Sequence, residues 1–143
     1  MAEERRFEEE GGQLIAFTAG GNYYAFEILS VTDIMEVPEI THIPKTPPYL
    51  LGITNLRGKA VPVMDLRLRL GLPEGNYDHR SCVIVIELNS LQFGIRVDRV
   101  ADVESCLPEQ IVLSPAENGV VKGFVNVGDR RIFLINADRL IRG

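Results

Sequence analysis

Short apolar runs, each closed by a polar or glycine-containing corner, recur along the chain, and none continues as a long amphipathic helix. Leu14-Ile15-Ala16-Phe17, a turn at Ala19-Gly20-Gly21-Asn22, and Tyr23 to Phe26 continuing through Ile28 form a β-hairpin pattern. Val31 to Val37 extends as a further strand-like segment. Pro38, Pro44, Pro47 and Pro48 then punctuate a stretch that cannot sustain a ladder, because proline lacks the amide donor and restricts the residue before it. An extended loop with polyproline-like pieces is expected there.

The stretch from Leu51 to Gly71 predicts strand, turn, strand and short helix. Two apolar runs flank the corner Asn55 to Lys59, where Gly58 supplies the positive φ a bulky residue resists. Asp65 is placed as a helix N-cap, Leu66 and Leu70 share a face, and Gly71 suits the position just past the helix. After a polar connector, Pro73 to Arg80, the strand pattern restarts with Cys82 to Ile86, a turn at Asn89-Ser90, and Phe93 to Val97.

The second half follows the first. At an offset of 69 residues Tyr24 falls on Phe93, Ile15 on Ile84, Val31 on Val100, Asp33 on Asp102 and Ile34 on Val103. At an offset of 71, Gly52 falls on Gly123, Asn55 on Asn126, Lys59 on Arg130, Val61 on Ile132 and the cap Asp65 on Asn136. Ala137, Leu140 and Ile141 repeat the short helical face. This register argues for an internal duplication of about 70 residues. Each copy offers four or five short strands, which suits a small barrel that hides its edges. A unit of ~60–70 residues is marginal alone. The expected architecture is therefore all-β: two barrels, about 13–72 and about 81–143, packed through an apolar seam, with a strand able to cross between them. The groove where they meet is the natural place for a partner.

Composition narrows the function. The chain has 143 residues, is 45% hydrophobic and 24% charged, and carries a formal net charge of −5. Glu3, Glu4, Glu8, Glu9 and Glu10 against Arg5 and Arg6 supply −3 of that charge, leaving the rest nearly balanced. No basic stripe is present, which argues against nucleic acid as a partner. Met1 to Gly12 is expected to be a disordered acidic tether. The acidic start lacks the pattern of a secretory signal, and no apolar run approaches the ~18 residues of a membrane span. A cytoplasmic protein without direct membrane insertion is expected, complete from its short tail to its final helix.

Candidate chemistry is sparse. His42 and His79 have no second ligand at metal spacing, and His79 with Cys82 lacks an orienting carboxylate. Phosphate loops, nucleophile elbows and dinucleotide fingerprints are absent. Cys82 and Cys106 read as buried free thiols. No enzyme and no cofactor are expected. The residue without a structural role is Arg57, at a corner where small turn formers would suffice. The second copy has Val127-Gly128-Asp129 there, with no basic residue in the matching slot. Arg57 can reach Asp33 or Glu36, either as a solvated surface pair or as a partly buried pair at a binding surface. Ile28, Val31 and Ile34 are core positions or, where a segment is apolar on both faces, an exposed contact patch.

The run Gly52-Ile53-Thr54-Asn55-Leu56-Arg57-Gly58-Lys59-Ala60-Val61-Pro62-Val63-Met64-Asp65-Leu66-Arg67 resembles the signature of the CheW family of chemotaxis coupling proteins. The hairpin with Tyr24 and Phe26, the segment Val31 to Ile34 and the closing Gly123 to Leu140 resemble that family too, so the resemblance covers about Gln13 to Ile141. It implies two SH3-like five-stranded barrels and a non-enzymatic adaptor. The implied partners are the regulatory domain of the CheA histidine kinase, which shares the fold, and the signalling tip of methyl-accepting chemoreceptors. The implied place is the receptor array at the inner membrane face. Arg57, followed by Gly58, matches the family's characteristic arginine. Val31, Asp33 and Ile34 match the segment tied to receptor and kinase contacts, with Asp33 where some members carry Glu. Ile28 joins them as a contact candidate. The rival expectations are a free-standing regulatory-domain-like barrel of a related signalling protein and a small-barrel nucleic-acid binder.

Overall fold

Two hairpins whose inner strands are apolar at consecutive positions lie at the centre of the molecule. In the computed structural model, which describes residues 7–73, 77–117 and 119–142, they are β1 (Gly12–Ala19) with β2 (Asn22–Glu27) and β6 (Cys82–Leu88) with β7 (Leu91–Val97). A single 3-10 turn, Ile28–Ser30, joins β2 to β3 (Val31–Glu36). After the proline-rich loop come β4 (Leu50–Leu56), β5 (Lys59–Asp65) and the helical turn α2 (Leu66–Arg69). The second half supplies β8 (Arg99–Cys106), a short β9 (Ile111–Leu113), β10 (Val121–Val127), β11 (Arg130–Ile135) and α3 (Ala137–Arg142). The helical turn Phe7–Glu10, α1, precedes them all.

The two sheets are built reciprocally. One, here barrel I, runs β3-β6-β7-β5-β4; the other, barrel II, runs β8-β1-β2-β11-β10-β9. Each is an SH3-like barrel, and each takes its central hairpin from the opposite half of the sequence. The expected contiguous units at about 13–72 and 81–143 are thus repeats in sequence but not the barrels themselves. The physical reason is the Ile28–Ser30 turn, which carries the chain from β2 in one sheet directly to β3 in the other.

The duplication holds down to single pairings. Val63 pairs with Gly94 where β5 and β7 run parallel, and Leu134 pairs with Ala25 where β11 and β2 do. The isolated bridge Thr41–Ile53 matches Val112–Phe124. Gly52 and Gly123 are needed for the same reason, since a Cβ on either would strike the backbone carbonyl of Thr41 or Val112. Both cap side chains work alike, Asp65 accepting from the Leu68 amide at 3.2 Å and Asn136 from the Arg139 amide at 3.1 Å.

Strand alternation then explains three apolar clusters. Leu14 and Ala16 face the interior of barrel II, while Ile15, Phe17 and Ala19 face the seam. Val83 and Val85 face the interior of barrel I, while Ile84 and Ile86 join the same seam. Both central strands are buried on both faces, so their sequences read as continuous apolar runs rather than alternating ones. The seam also holds Phe26, Met64, Ile95, Leu66 and Leu140, which makes it a core shared by the two barrels.

The N-terminal expectation needs correction. Residues 1–6 lie outside the described residues, but Phe7 is 2% exposed and packs with Leu14, Ala25 and Ile132 inside barrel II. One aromatic ring in a charged stretch is enough to anchor the turn, because burying it offsets the ordering of only a few residues. The ordered chain therefore begins before Gln13.

Candidate functional site

The corner between β4 and β5 is a two-residue hairpin, with Leu56 paired to Lys59 and both Arg57 (φ 51°) and Gly58 (φ 83°) left-handed. That geometry matches the turn favoured between twisted strands. Asn55 Oδ1 accepts from the Gly58 amide at 2.9 Å. A non-glycine residue at the first of these positions is disfavoured, so Arg57 is retained against local preference.

Its guanidinium donates to Asp33 through two bonds, Nη2 to Oδ1 at 2.7 Å and Nη1 to Oδ2 at 3.1 Å. Of the two carboxylates expected within reach, Asp33 is the one engaged. The hydrogen bonds from Arg57 hold the Asp33 carboxyl below the usual carboxylate range. Because β3 and β4 are opposite edges of barrel I, the pair links its two open sides. The Arg57 side chain is 71% exposed and that of Asp33 18%, so the carboxylate is set into the surface and the guanidinium lies over it.

The slot matching Arg57 is Gly128, without a basic residue, yet the tether recurs: Arg130, two residues further along the matching turn, donates to Asp102 at 2.9 Å. Asp102 is the repeat of Asp33, and β8, which carries it, is again an edge strand. The tether is rebuilt from the opposite side of the turn, which leaves Gly128 free to take the left-handed position (φ 58°).

The two ends of the inter-barrel seam differ more. At one end Arg67, on α2, donates to Asp98 through Nε and Nη2, both at 2.8 Å. Asp98 also accepts from the Gly20 amide at 3.0 Å. Tyr77 closes over this latch: its ring lies 3.9 Å from the Arg96 guanidinium and 5.0 Å from that of Arg67. Its hydroxyl donates to Asp65 Oδ2 at 2.6 Å, while the other oxygen of that carboxylate caps α2.

The repeat carries Arg67 to Asp138 and Asp98 to Leu29 at the other end. A carboxylate facing a leucine cannot form the latch, and the seam stays open as a groove of about 580 Å³. Both sheets line it, with Phe26 and Glu27 from β2, Glu87 and Leu88 from β6, and Lys122 from β10. Leu29 stands at its mouth, 72% exposed. Glu8 of α1 takes the place that Tyr77 holds at the latched end, and Lys122 Nζ pairs with it at 2.7 Å and with Glu27 at 3.1 Å. Burial alone would lower the Lys122 ammonium, but these two carboxylates outweigh it and raise its pKa.

The sequence-derived candidates divide accordingly. Asp33, Arg57 and Gly58 come together at the corner of barrel I, while Ile34, the next residue along β3, is 46% exposed and alternates to the other face of the strand. Ile28 and Val31 are half-buried, and Val31 packs on the seam core. Sequence pattern missed Leu29, since three apolar residues in a short stretch do not reveal which one points outward. Cys106 is buried and Cys82 half-buried, both are free thiols, and burial pushes both up. Among the described residues no cluster of three or more His, Cys, Asp or Glu is placed to hold a metal, and no helix is long and apolar enough to cross a membrane.

Two repeated barrels without a metal cluster among the described residues, and an open groove between them, define a scaffold for protein contacts. The chain belongs to the CheW family: the family model described as CheW-like domain matches residues 13–143. It is 34% identical to the chemotaxis protein CheW of Klebsiella aerogenes over 139 residues, covering 94% of this chain and 84% of that one. It is 34% identical to the chemotaxis protein CheW of Bacillus subtilis over 105 residues, covering 73% and 67%. The crystal structure of the scaffolding protein TtCheW from Thermoanaerobacter tengcongensis superposes with a TM-score of 0.82 at 29% identity, covering 88% of this chain and 89% of that one. The chain is thus a chemotaxis adaptor by family, and that family is one of non-catalytic scaffolds.

Proposed function

We propose that this chain couples the cytoplasmic tips of chemoreceptors to a CheA-type histidine kinase by binding both, without catalysing a reaction itself. It works in the cytoplasm, within receptor arrays at the inner membrane face. The observation that carries this proposal is the unequal seam. One end is bridged by Arg67–Asp98 over a hollow of about 280 Å³, whereas the other opens as a groove of about 580 Å³ with Phe26, Leu88, Ile135 and Ala137 in its lining and an exposed leucine at its mouth. A helix laid into such a groove buries apolar area by its i, i+3, i+4 and i+7 side chains. The receptor tip is assigned to this groove, with Ile28 and Val31 in the segment that borders it.

The regulatory domain of the kinase is assigned to the β3 edge of barrel I, which exposes Ile34 and holds the Asp33–Arg57 pair, and where Gly58 lets a partner backbone approach. A like-folded partner can meet such a face with its own barrel edge. Arg57, tied to β3 just after the groove-lining turn, connects the two contacts. The test is a pull-down of purified receptor signalling tips and kinase regulatory domain by the full chain, with Arg57→Ala alongside and folding checked by thermal melt. The expected result is that wild type captures both and the folded variant loses the kinase contact or fails to support kinase activation. Capture of neither by wild type overturns the proposal.

A further inference from the structure

The open groove and the latched seam occupy equivalent places in the fold, yet their charges are opposite. The latched end is lined by Arg67, Arg80 and Arg99 against Asp78 and Asp98. The open groove is lined by Glu8, Glu27, Glu87 and Asp138 against Lys122 alone. Since the duplicated scaffold accepts either sign, the acidic lining is a property of the groove and not a demand of the fold.

Three of the four carboxylates are engaged within the chain. Glu8 and Glu27 share Lys122, and Asp138 Oδ1 accepts from Arg142 Nε at 2.6 Å. Glu87 is different. It stands exposed on the β6 wall and forms no ion pair among the described residues. The groove beside it is lined by Phe26, Leu88, Ile135 and Ala137, with the exposed Leu29 at its mouth.

We infer that the open groove selects a partner helix whose contact face is apolar along its middle and carries lysine or arginine on the margin that meets Glu87. This rests on the assignment of the groove to a helical partner and deepens it by stating the chemistry of that helix. The apolar strip supplies affinity, and the acidic wall sets orientation and discriminates against helices with acidic margins, which would place like charges together at the rim. An exposed pair of this kind is screened by salt, whereas the apolar contact is not.

The experiment measures binding of a purified receptor signalling-tip fragment to the full chain at low and high sodium chloride, for wild type, Leu29→Asp and Glu87→Lys. Binding of the kinase regulatory domain serves as the fold control. Leu29→Asp is expected to weaken the receptor contact at both salt concentrations. Glu87→Lys is expected to weaken it about tenfold at low salt and far less at high salt. If Leu29→Asp weakens binding while Glu87→Lys does not, and wild-type affinity is independent of salt, the groove assignment stands and the charge selection is overturned. If Leu29→Asp binds as wild type does, the groove assignment itself falls.

Discussion

Arg130 holds Asp102 at 2.9 Å in barrel II as Arg57 holds Asp33 in barrel I, but from the far side of its turn. The corner tether is therefore a property of the duplicated unit, joining an edge strand to the hairpin that would otherwise close the barrel only weakly. Placing the arginine inside the turn is peculiar to the first copy. There it occupies a left-handed position that the second copy gives to glycine.

Arg57→Ala and Arg57→Gly separate these roles. Neither is expected to lower the thermal midpoint appreciably, since the guanidinium is 71% exposed and glycine suits the turn better than arginine. Both are expected to return the Asp33 carboxyl upward toward its ordinary value of 3.8, measurable by carboxyl-carbon NMR titration. The folded-state pKa of Asp33 is depressed, so its contribution is present above the ordinary carboxylate range and lost as pH falls through the depressed value. An unchanged titration in both variants would refute the pairing in solution.

Phe7→Ala tests the N-terminal anchor. Phe7 is 2% exposed inside barrel II, so its truncation is expected to cost ~3–5 kcal/mol in denaturant unfolding. Removal of residues 1–10 should cost about the same as the single substitution. A loss near zero in both would mean that the turn does not pack on the barrel.

The latch can be moved. Leu29→Asp with Asp138→Arg installs at the open end the residue types that close the other end. The double variant is expected to fold, to keep kinase binding and to lose receptor binding, because the groove mouth is bridged. Arg67→Ala at the natural latch leaves Asp98 with the Gly20 amide as its remaining donor and is expected to cost ~2–3 kcal/mol. Undiminished receptor binding by a stable double variant would count against the groove.

Tyr77 predicts the alkaline limit. Burial first, and then its hydrogen bond to Asp65, push its phenol far above the ordinary value of 10.0. The neutral phenol is the form the fold keeps, so its stabilisation is present below the unfolded pKa and lost as pH rises toward the folded one. In ultraviolet titration Tyr77 should ionise last or only with unfolding, and Tyr77→Phe should remove that step at a cost of about 1–2 kcal/mol at neutral pH. Ionisation of all four tyrosines near the ordinary value in the folded protein would contradict the clasp.

Much of the fold can be read from residues alone. The hairpin at Gly20-Gly21, the corner at Gly58, the caps Asp65 and Asn136, and the register of the duplication each follow from local chemistry, and each has its place in the structure. The corner arginine stood out in the sequence at a turn where small residues suffice, but its tether to Asp33 was only one of two pairings open to it there. The part played by Arg130 was not legible, because pairing across a turn depends on which edge strand lies beside it. Phe7 was hidden for a similar reason: an isolated aromatic in an acidic stretch has no periodic partner to announce its burial.

What the sequence by itself determined is the repeating unit: its strands, turns and caps, and the apolar faces of each strand. What only the tertiary structure decided is the exchange of hairpins between the halves. Both copies carry the same apolar pattern, so a hairpin can satisfy either sheet equally well, and the short turn Ile28–Ser30 sends the chain across. That crossing sets Arg67 against Asp98 at one end of the seam and Asp138 against Leu29 at the other. An ion pair closes the first, and at the second a carboxylate facing a leucine leaves the groove open.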